Sequence, residues 1–294
     1  ILDRLAAEDR RLRVIHVDSL PDGWLGKTNG LQQGFLATRS DYLLFTDADV
    51  HFSRDALRRG IHYMQKYDVA HLAVPPKIIN AKPSLKIMLP AFAISFFLNM
   101  RPWKINTDTG NDATGVGAFN LLRRDALQAI NGLEKVRLRP DEDVKLGKAI
   151  RAAGFRQRIV DSSGLVQVEW YRTAPEAIQG MEKNSFAFLD YSVTTVLISV
   201  ILVLLIFIWP PLALLLTPDQ GFWFNLGSSL IVFYLHLKAA AKMEIGWYYG
   251  LLYPLGMLLM LIAILNSMFR TLQRKGVVWR GTLYLLSELR NNKI

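Results

Sequence analysis

At 294 residues the chain has room for one substantial soluble domain and a few membrane spans. Its 51% hydrophobic residues and mean hydropathy of +0.19 exclude an ordinary soluble protein. The formal charge of +10 comes with no basic stripe of interleaved aromatics and no zinc-ligand spacing, so it points to an anionic membrane surface and not to nucleic acid. With no cysteine there is no disulfide and no Cys-bound zinc, which suits a domain facing the cytosol.

In chain order, residues 1–10 read as the end of an amphipathic helix and 13–17 as the strand after it. No initiator Met, signal peptide or first strand precedes them, as if the chain began inside a domain. The Pro- and Gly-containing segment 20–27 predicts a loop. Residues 28–39 have helical apolar spacing (Leu31, Phe35, Leu36) and lead into the apolar strand Tyr42, Leu43, Leu44, Phe45, which runs out at Thr46, Asp47, Ala48 and Asp49. Ser53 is the expected N-cap of a helix over 54–67, and 71–75 is the next strand. This alternation predicts an α/β domain over residues 1–190 with a mostly parallel, doubly wound sheet.

Residues 83–101 are apolar nearly all round and are flanked by Lys82, Lys86, Arg101 and Lys104. The stretch is too short to span, so it reads as an interfacial helix or a buried core helix. Gly115 and Gly117 open a loop that feeds a strand at 120–122, and a helix starts at 123–125. Arg139, Pro140, Asp141, Glu142 and Asp143 precede another helix over 144–153, which stops at Gly154. The remaining region, 191–294, carries uncharged tracts at 191–218, 220–237 and 245–269. The first and third supply the roughly 20 residues that a hydrocarbon layer of about 30 Å requires, and the second is marginal. Pro254 and Gly256 interrupt the third, which admits a re-entrant segment. If all three span, the basic tail (Arg270, Arg274, Lys275, Arg280) emerges opposite the catalytic domain, against the positive-inside tendency.

An apolar strand ending in Asp-x-Asp sets two carboxylates at the carboxyl edge of a sheet, where open α/β folds bind ligands. Two such carboxylates suit a divalent cation, Mg2+ or Mn2+, which in turn suits a diphosphate. Asp47 and Asp49 are therefore the candidate metal ligands, with His51 as a candidate third. Asp141, Glu142 and Asp143 exceed what a helix cap needs, and adjacent carboxylates raise each other's pKa, a useful property in a general base. Asp143 is the favoured base, with Glu142 beside it. Lys27 and Asn29 offer a cation and polar contacts to a phosphate or nucleobase, against the alternative of a solvated surface turn. Gly117, with Gly115, allows backbone to approach a sugar or simply makes a tight turn. Trp170, Arg172, Gln179 and Lys183 form either an interfacial belt or the acceptor side of a site.

Five ordered stretches carry a resemblance. They are Gly26-Lys27-x-Asn29, Thr46-Asp47-Ala48-Asp49, Gly115-x-Gly117-Ala118-Phe119, Asp141-Glu142-Asp143-x-x-Leu146-Gly147 with Ala153-Gly154-Phe155, and Val278-Trp279-Arg280-Gly281 before Tyr284. Together they resemble membrane-bound family 2 glycosyltransferases of the GT-A fold, most of all ceramide glucosyltransferases and hopanoid-associated glycosyltransferases. The resemblance implies an inverting transfer of one sugar from a nucleotide-sugar donor to a membrane lipid acceptor. It implies Asp47 and Asp49 on the metal and nucleotide sugar, Lys27 and Asn29 on the donor side, and Asp143 as base. The implied location is the cell membrane with the catalytic domain cytoplasmic. The family's first strand, nucleotide-contacting acid and leading membrane helix have no counterpart here. The Gln-x-x-Arg-Trp motif of processive relatives is present only as Gln179-Gly180-Met181-Glu182-Lys183, which speaks against polymer synthesis. The competing readings are a processive polysaccharide synthase-like transferase, a non-catalytic membrane adaptor with a degenerate transferase domain, and an aspartyl-phosphate phosphatase. Against the last, His51 stands where those enzymes carry Thr or Val.

Overall fold

The computed structural model describes residues 1–216 and 220–292, so the end of the first predicted uncharged tract, Thr217 and Pro218, lies outside it. Helix α1 (Leu2–Glu8) is followed by a segment without regular structure. The strand predicted at 13–17 does not form: Ile15 and Val17 are exposed, and no strand among the described residues lies beside them to complete a ladder. Helix α2 (Gly26–Leu36) begins before the predicted start, taking in Lys27. Strand β1 (Tyr42–Phe45) is as predicted, and β2 (Val50–Phe52) is an unpredicted strand straight after the Asp-x-Asp turn. Helix α3 (Ala56–Tyr67) has Asp55 at its N-cap, not Ser53; the Ser53 amide is turned to the carbonyl of Leu165, 2.9 Å away. Then come β3 (His71–Ala73), β4 (Lys77–Ile78), α4 (Pro83–Met100), α5 (Pro102–Ile105), β5 (Asn120–Arg123), α6 (Arg124–Ala129) and α7 (Glu142–Ala152). Strands β6 (Gln157–Ile159) and β7 (Val166–Val168) and helices α8 (Ala174–Gly180) and α9 (Ser185–Phe188) complete the first 190 residues.

The central sheet has the order β1-β5-β3-β6. Three of its four strands share one direction, while β5 runs backwards between β1 and β3, so the α/β class holds but the pairing is mixed. The reversal follows from where β5 starts. Its first residue, Asn120, pairs with Phe45 at the end of β1, so a chain entering at that edge must run back. A smaller sheet has the order β2-β7-β4. Side chains alternate across the main sheet as a period of two requires. Leu43, Phe45 and Leu122 face a core with Phe35, Leu127 and Ile150, while Leu44, Leu72 and Leu121 face Met64 and Phe119. Each such side chain contributes about 1.5–3 kcal/mol by leaving water.

The C-terminal third opens with α10 (Val193–Val203), which continues through a π-helical turn at Leu204–Ile208 into α11 (Trp209–Ala213). Helices α12 (Gln220–Lys242) and α13 (Tyr253–Gln273) follow, then a hairpin of β8 (Gly276–Trp279) and β9 (Thr282–Leu285), and finally α14 (Leu286–Asn291). Among the described residues three stretches are long and apolar enough to cross a membrane: Pro83–Ile105, Val193–Ala213 and Trp247–Gln273. The first corrects the expectation that 83–101 is too short, since the stretch from the start of α4 to the end of α5 runs 23 residues.

Length alone does not decide how α4 lies. At its start the amide of Lys82 bonds the carbonyl of Arg172 at 2.8 Å. At its end Met100 accepts from the Thr114 hydroxyl at 2.8 Å, Arg101 pairs with Asp112 at 2.5 Å, and Ile105 joins a core with Val144 and Ile159. Both ends are tied to the first 190 residues, while its middle packs on α12 and α13 through Leu85, Met88, Leu89 and Ala91. Helix α13 packs on α4 at one end and on α9 and the turn before it at the other. Its Gly256 sits against the Ile87 carbonyl of α4, where an added Cβ would come within 2.5 Å. Near its other end Ser267 accepts from the Phe186 amide at 3.0 Å, and Arg274 pairs with Glu182 at 2.6 Å. The tail does not emerge opposite the catalytic domain. Asn292 bonds Lys135 and Leu138, and Arg290 bonds the Tyr191 carbonyl, all at 3.0–3.1 Å.

One buried polar group staples the sheet. His71 is fully buried on β3, with its two ring nitrogens on Asn120 of β5 and Gln157 of β6. Burial pushes its pKa down to about 4, against the opposing bond from Asn120, so the ring is neutral in the fold. The unfolded chain takes up that proton from its ordinary value of 6.5 downward. The stability that His71 contributes is therefore present above pH 6.5 and lost as pH falls toward 4, on the order of 3 kcal/mol. Thermal unfolding across that window should show the loss, and His71→Gln should flatten it.

Candidate active site

Four segments of chain meet at the carboxyl end of β1. The Asp-x-Asp turn leaves that strand, α2 brings Lys27 in its first turn, the 115–119 loop enters β5, and α7 presents Glu142 and Asp143 at its N-terminus. The reversed β5 makes this meeting close, because the Asp47 amide donates to the Gly117 carbonyl at 3.0 Å. Lys27 Nζ lies 2.6 Å from Asp47 Oδ1 and 2.7 Å from Glu142 Oε1. Asp143 Oδ2 accepts from the Gly117 amide at 2.7 Å, and its Oδ1 from the Val144 amide at 2.8 Å.

Two glycines permit this. A Cβ on Gly117 would stand 2.8 Å from Asp47 Oδ2, 3.4 Å from Asp143 Oδ2 and 3.5 Å from Lys27 Nζ. A Cβ on Gly115 would stand 1.9 Å from the Asp143 carbonyl oxygen. The loop can press against the start of α7 only without side chains at these positions. The result is a small cleft lined by Lys27, Thr46, Gly117, Glu142 and Asp143.

The charges are tightly coupled. Glu142 is buried, and that burial pushes its pKa up to about 7; Asp143 and Asp47 add to the rise while Lys27 opposes it. Burial also raises Asp143, against Lys27 and the amides of Val144 and Gly117. Burial alone would lower Lys27, but Glu142, Asp47 and Asp143 outweigh it and hold the ammonium protonated well above its ordinary range. The cleft thus holds a fixed cation among three carboxylates, two of them with raised proton affinity.

Not all predicted site residues join. Asp141 turns away from the cleft into a buried pair with Arg139, with two contacts of 2.8 Å. Arg139 also reaches the Ala187 carbonyl at 2.8 Å and Asp190 at 3.0 Å, and Lys145 meets Asp190 at 2.6 Å. Asn29 is buried on α2, and no hydrogen bond joins its side chain to the cleft among the described residues. Asp49 is exposed on the turn after Asp47 and makes no ion pair among the described residues. His51 sits exposed on β2 and does not complete a three-ligand cluster with the aspartates; no such cluster of His, Asp or Glu is found among the described residues. The donor set is nonetheless all oxygen, and two carboxylates with one open to solvent fit a hard divalent cation whose other ligands are water and a diphosphate.

Of the residues expected on the acceptor side, Gln179 and Arg172 are exposed, Arg172 being 3.7 Å from Glu169. Lys183 reaches the cleft electrostatically: burial lowers its pKa, Lys27 adds to the lowering, and Glu142 and Asp47 oppose it. Its ammonium stands 4.7 Å from the Trp279 ring centroid of the C-terminal hairpin. Trp170 stacks on Tyr171 at 4.8 Å. Tyr171 was not singled out by sequence, yet its phenol is raised by burial and then by Asp49 and Asp47, which places it beside the Asp-x-Asp turn. Its position between Trp170 and Arg172 was the only available signal.

The model of glycosyl transferase family 21 matches residues 8–291. No match was found among curated proteins. Among solved structures, S. aureus TarS (residues 1–349) is similar with a TM-score of 0.35 at 12% identity, over 96% of this chain and 82% of that one. A likeness of that size is too low to bear on the chemistry. The motifs resembled family 2, and the family model that matches is that of family 21. Spanning nearly the whole sequence, that match shows that the chain belongs to glycosyl transferase family 21 and is a glycosyltransferase.

Proposed function

We propose that this protein is an inverting glycosyltransferase that moves one sugar from a nucleotide-sugar donor to the hydroxyl of a membrane lipid, at the cytoplasmic face of the cell membrane. The observation that carries this reading is the convergence of Lys27, Asp47, Glu142 and Asp143 around Gly117. Its setting, against helices of membrane length, supports a lipid acceptor.

Asp143 is the group suited to take the proton of the attacking hydroxyl. Burial raises its proton affinity toward the working range of a base, and the Gly117 amide fixes its orientation. Lys27 offers a permanent positive charge to the donor diphosphate. In the absence of substrate that charge is held between Asp47 and Glu142. Asp47 and Asp49 would hold a divalent cation, Mg2+ or Mn2+, which when bound supplies charge neutralisation to the departing nucleoside diphosphate. Single transfer is supported by the 179–183 stretch, which lacks the Arg-Trp pair of the processive motif and whose Glu182 is paired with Arg274. A cytoplasmic domain is supported by the basic tail, whose contacts put it on the catalytic side in accord with the positive-inside tendency.

Membranes carrying the protein should label lipid from a nucleotide sugar, and Asp143→Asn should lower that labelling about 10²–10⁴-fold. Unchanged labelling in Asp143→Asn removes it as the base. Glu142 gives a test by pH. Its folded pKa of about 7 exceeds its ordinary 4.5, so the fold loses stability as pH rises from 4.5 through 7. Unfolding of Glu142→Gln should show less of this alkaline loss.

A further inference from the structure

We propose that Phe96, Phe92, Trp170 and Tyr171 form the seat of the acceptor, an aromatic wall on which an amphiphile lies with its hydrocarbon chain along α4 and its hydroxyl end in the acidic cleft. This rests on the lipid-acceptor reading above and names the surface that would carry it out.

The four rings make one continuous row. Phe96 and Phe92 stack at 6.3 Å on successive turns of α4, Phe92 meets Trp170 at 4.6 Å, and Trp170 meets Tyr171 at 4.8 Å. All four are only partly buried, so each keeps an open edge or face. Phe92, Trp170 and Tyr171 pack by one side on the core of α4, α8 and α13 and stay open on the other. One end of the row packs on chain that adjoins the cleft. Phe96 packs on the cluster of Met100, Ile105 and Val144, which also takes Val116; these last two are the chain neighbours of Asp143 and Gly117. At the other end Tyr171 feels the charges of Asp49 and Asp47.

Tyr171 is held in place by a missing side chain. A Cβ on Gly180 would stand 2.1 Å from its hydroxyl oxygen, so the ring lies directly over α8. Beyond Phe96 the apolar surface continues into solvent-facing Phe97, Leu98 and Trp103, exposed by 51%, 54% and 48%. A helix with both ends on the catalytic domain and apolar side chains on nearly every face has lipid as the environment for its open side. An acceptor confined to that layer meets the row before it meets the carboxylates. The chemistry selected is a long-chain amphiphile with a small hydroxyl head.

The test uses the full chain in vesicles of phosphatidylcholine and phosphatidylglycerol, a panel of labelled nucleotide sugars, and diacylglycerol or ceramide of increasing chain length as acceptor. Propane-1,2-diol serves as the chainless control. In the parent protein the acceptor KM should fall with chain length. In Trp170→Leu and Phe92→Leu that dependence should flatten, and the ratio of lipid transfer to donor hydrolysis should drop about tenfold or more, as expected for lost ground-state binding. Trp170→Phe should restore most of it. Phe96 replaced by benzoylphenylalanine should form a light-dependent adduct with labelled acceptor lipid. Chain-length dependence and transfer ratio identical to the parent's in both leucine variants, or no lipid adduct at position 96, would overturn the wall. Labelling of propane-1,2-diol with no labelling of any lipid by the parent protein would instead sink the lipid-acceptor reading itself.

Discussion

The ammonium of Lys27, caught between Asp47 and Glu142, is the contact on which the rest of the site depends. Glu142 is almost fully buried, and an uncompensated carboxylate there is costly. A buried ion pair is weak evidence of net stabilisation, since desolvation offsets much of the attraction. Its value here is positional. It joins α2, the end of β1 and the start of α7, three elements far apart in sequence, at a single atom. With the Gly117 amide on Asp143, it fixes where a base and a leaving-group charge stand relative to each other. Lys27 is also the group that a diphosphate would recruit, so donor binding would be an exchange of anions around one cation and would need little rebuilding.

A second charge network, beside the cleft but outside it, fixes α7 from behind. Arg139 and Lys145 are buried, and both reach Asp190. Asp190 and Tyr191 are consecutive non-glycine residues at φ +52° and +55°. Such backbone costs on the order of 1–3 kcal/mol per residue and persists only when its surroundings over-determine it. The determining contacts are visible: Arg139 and Lys145 on the Asp190 carboxylate, and Arg290 on the Tyr191 carbonyl. This bend launches α10, whose Ser192 caps it by accepting from the Thr195 amide. Helix α7 and the first C-terminal helix are therefore joined through side chains.

The parts of this arrangement that the sequence announced are those written locally. The run Tyr42 to Asp49, the glycines at 115 and 117, and the acids at 142 and 143 each signal by residue type and spacing, and the structure brings all three together. What was hidden is long-range. The direction of β5 depends on where its first residue meets β1, and no periodicity encodes that. Asp141 looked like part of the catalytic acid cluster because its partner, Arg139, lies two residues back and carries no mark of being buried. Residues 13–17 had strand-like composition, but a strand exists only where a neighbour supplies the ladder. Hydropathy showed that 83–101 was apolar, and could not show that both its ends return to one domain.

That last geometry bears most on the chemistry. A transferase working on dissolved acceptors gains nothing from an apolar helix such as α4, which leaves Phe97 and Leu98 exposed. For an acceptor dissolved in a bilayer the same helix shortens the search to two dimensions and fixes the approach. Holding reactants in one orientation converts a bimolecular encounter into a nearly unimolecular one, worth up to about 7–11 kcal/mol in favourable cases. On the proposed reading the two carboxylates that Lys27 bridges would handle the polar donor from the water side, and α4 with Trp170 and Tyr171 would face the apolar layer. Asp143 lies where the two sides meet, its amide partner Gly117 adjoining the donor aspartate and its neighbour Val144 adjoining Phe96. On the proposed reading proton removal would take place at the boundary between water and lipid, where a hydrophobic alcohol and a nucleotide can be held together.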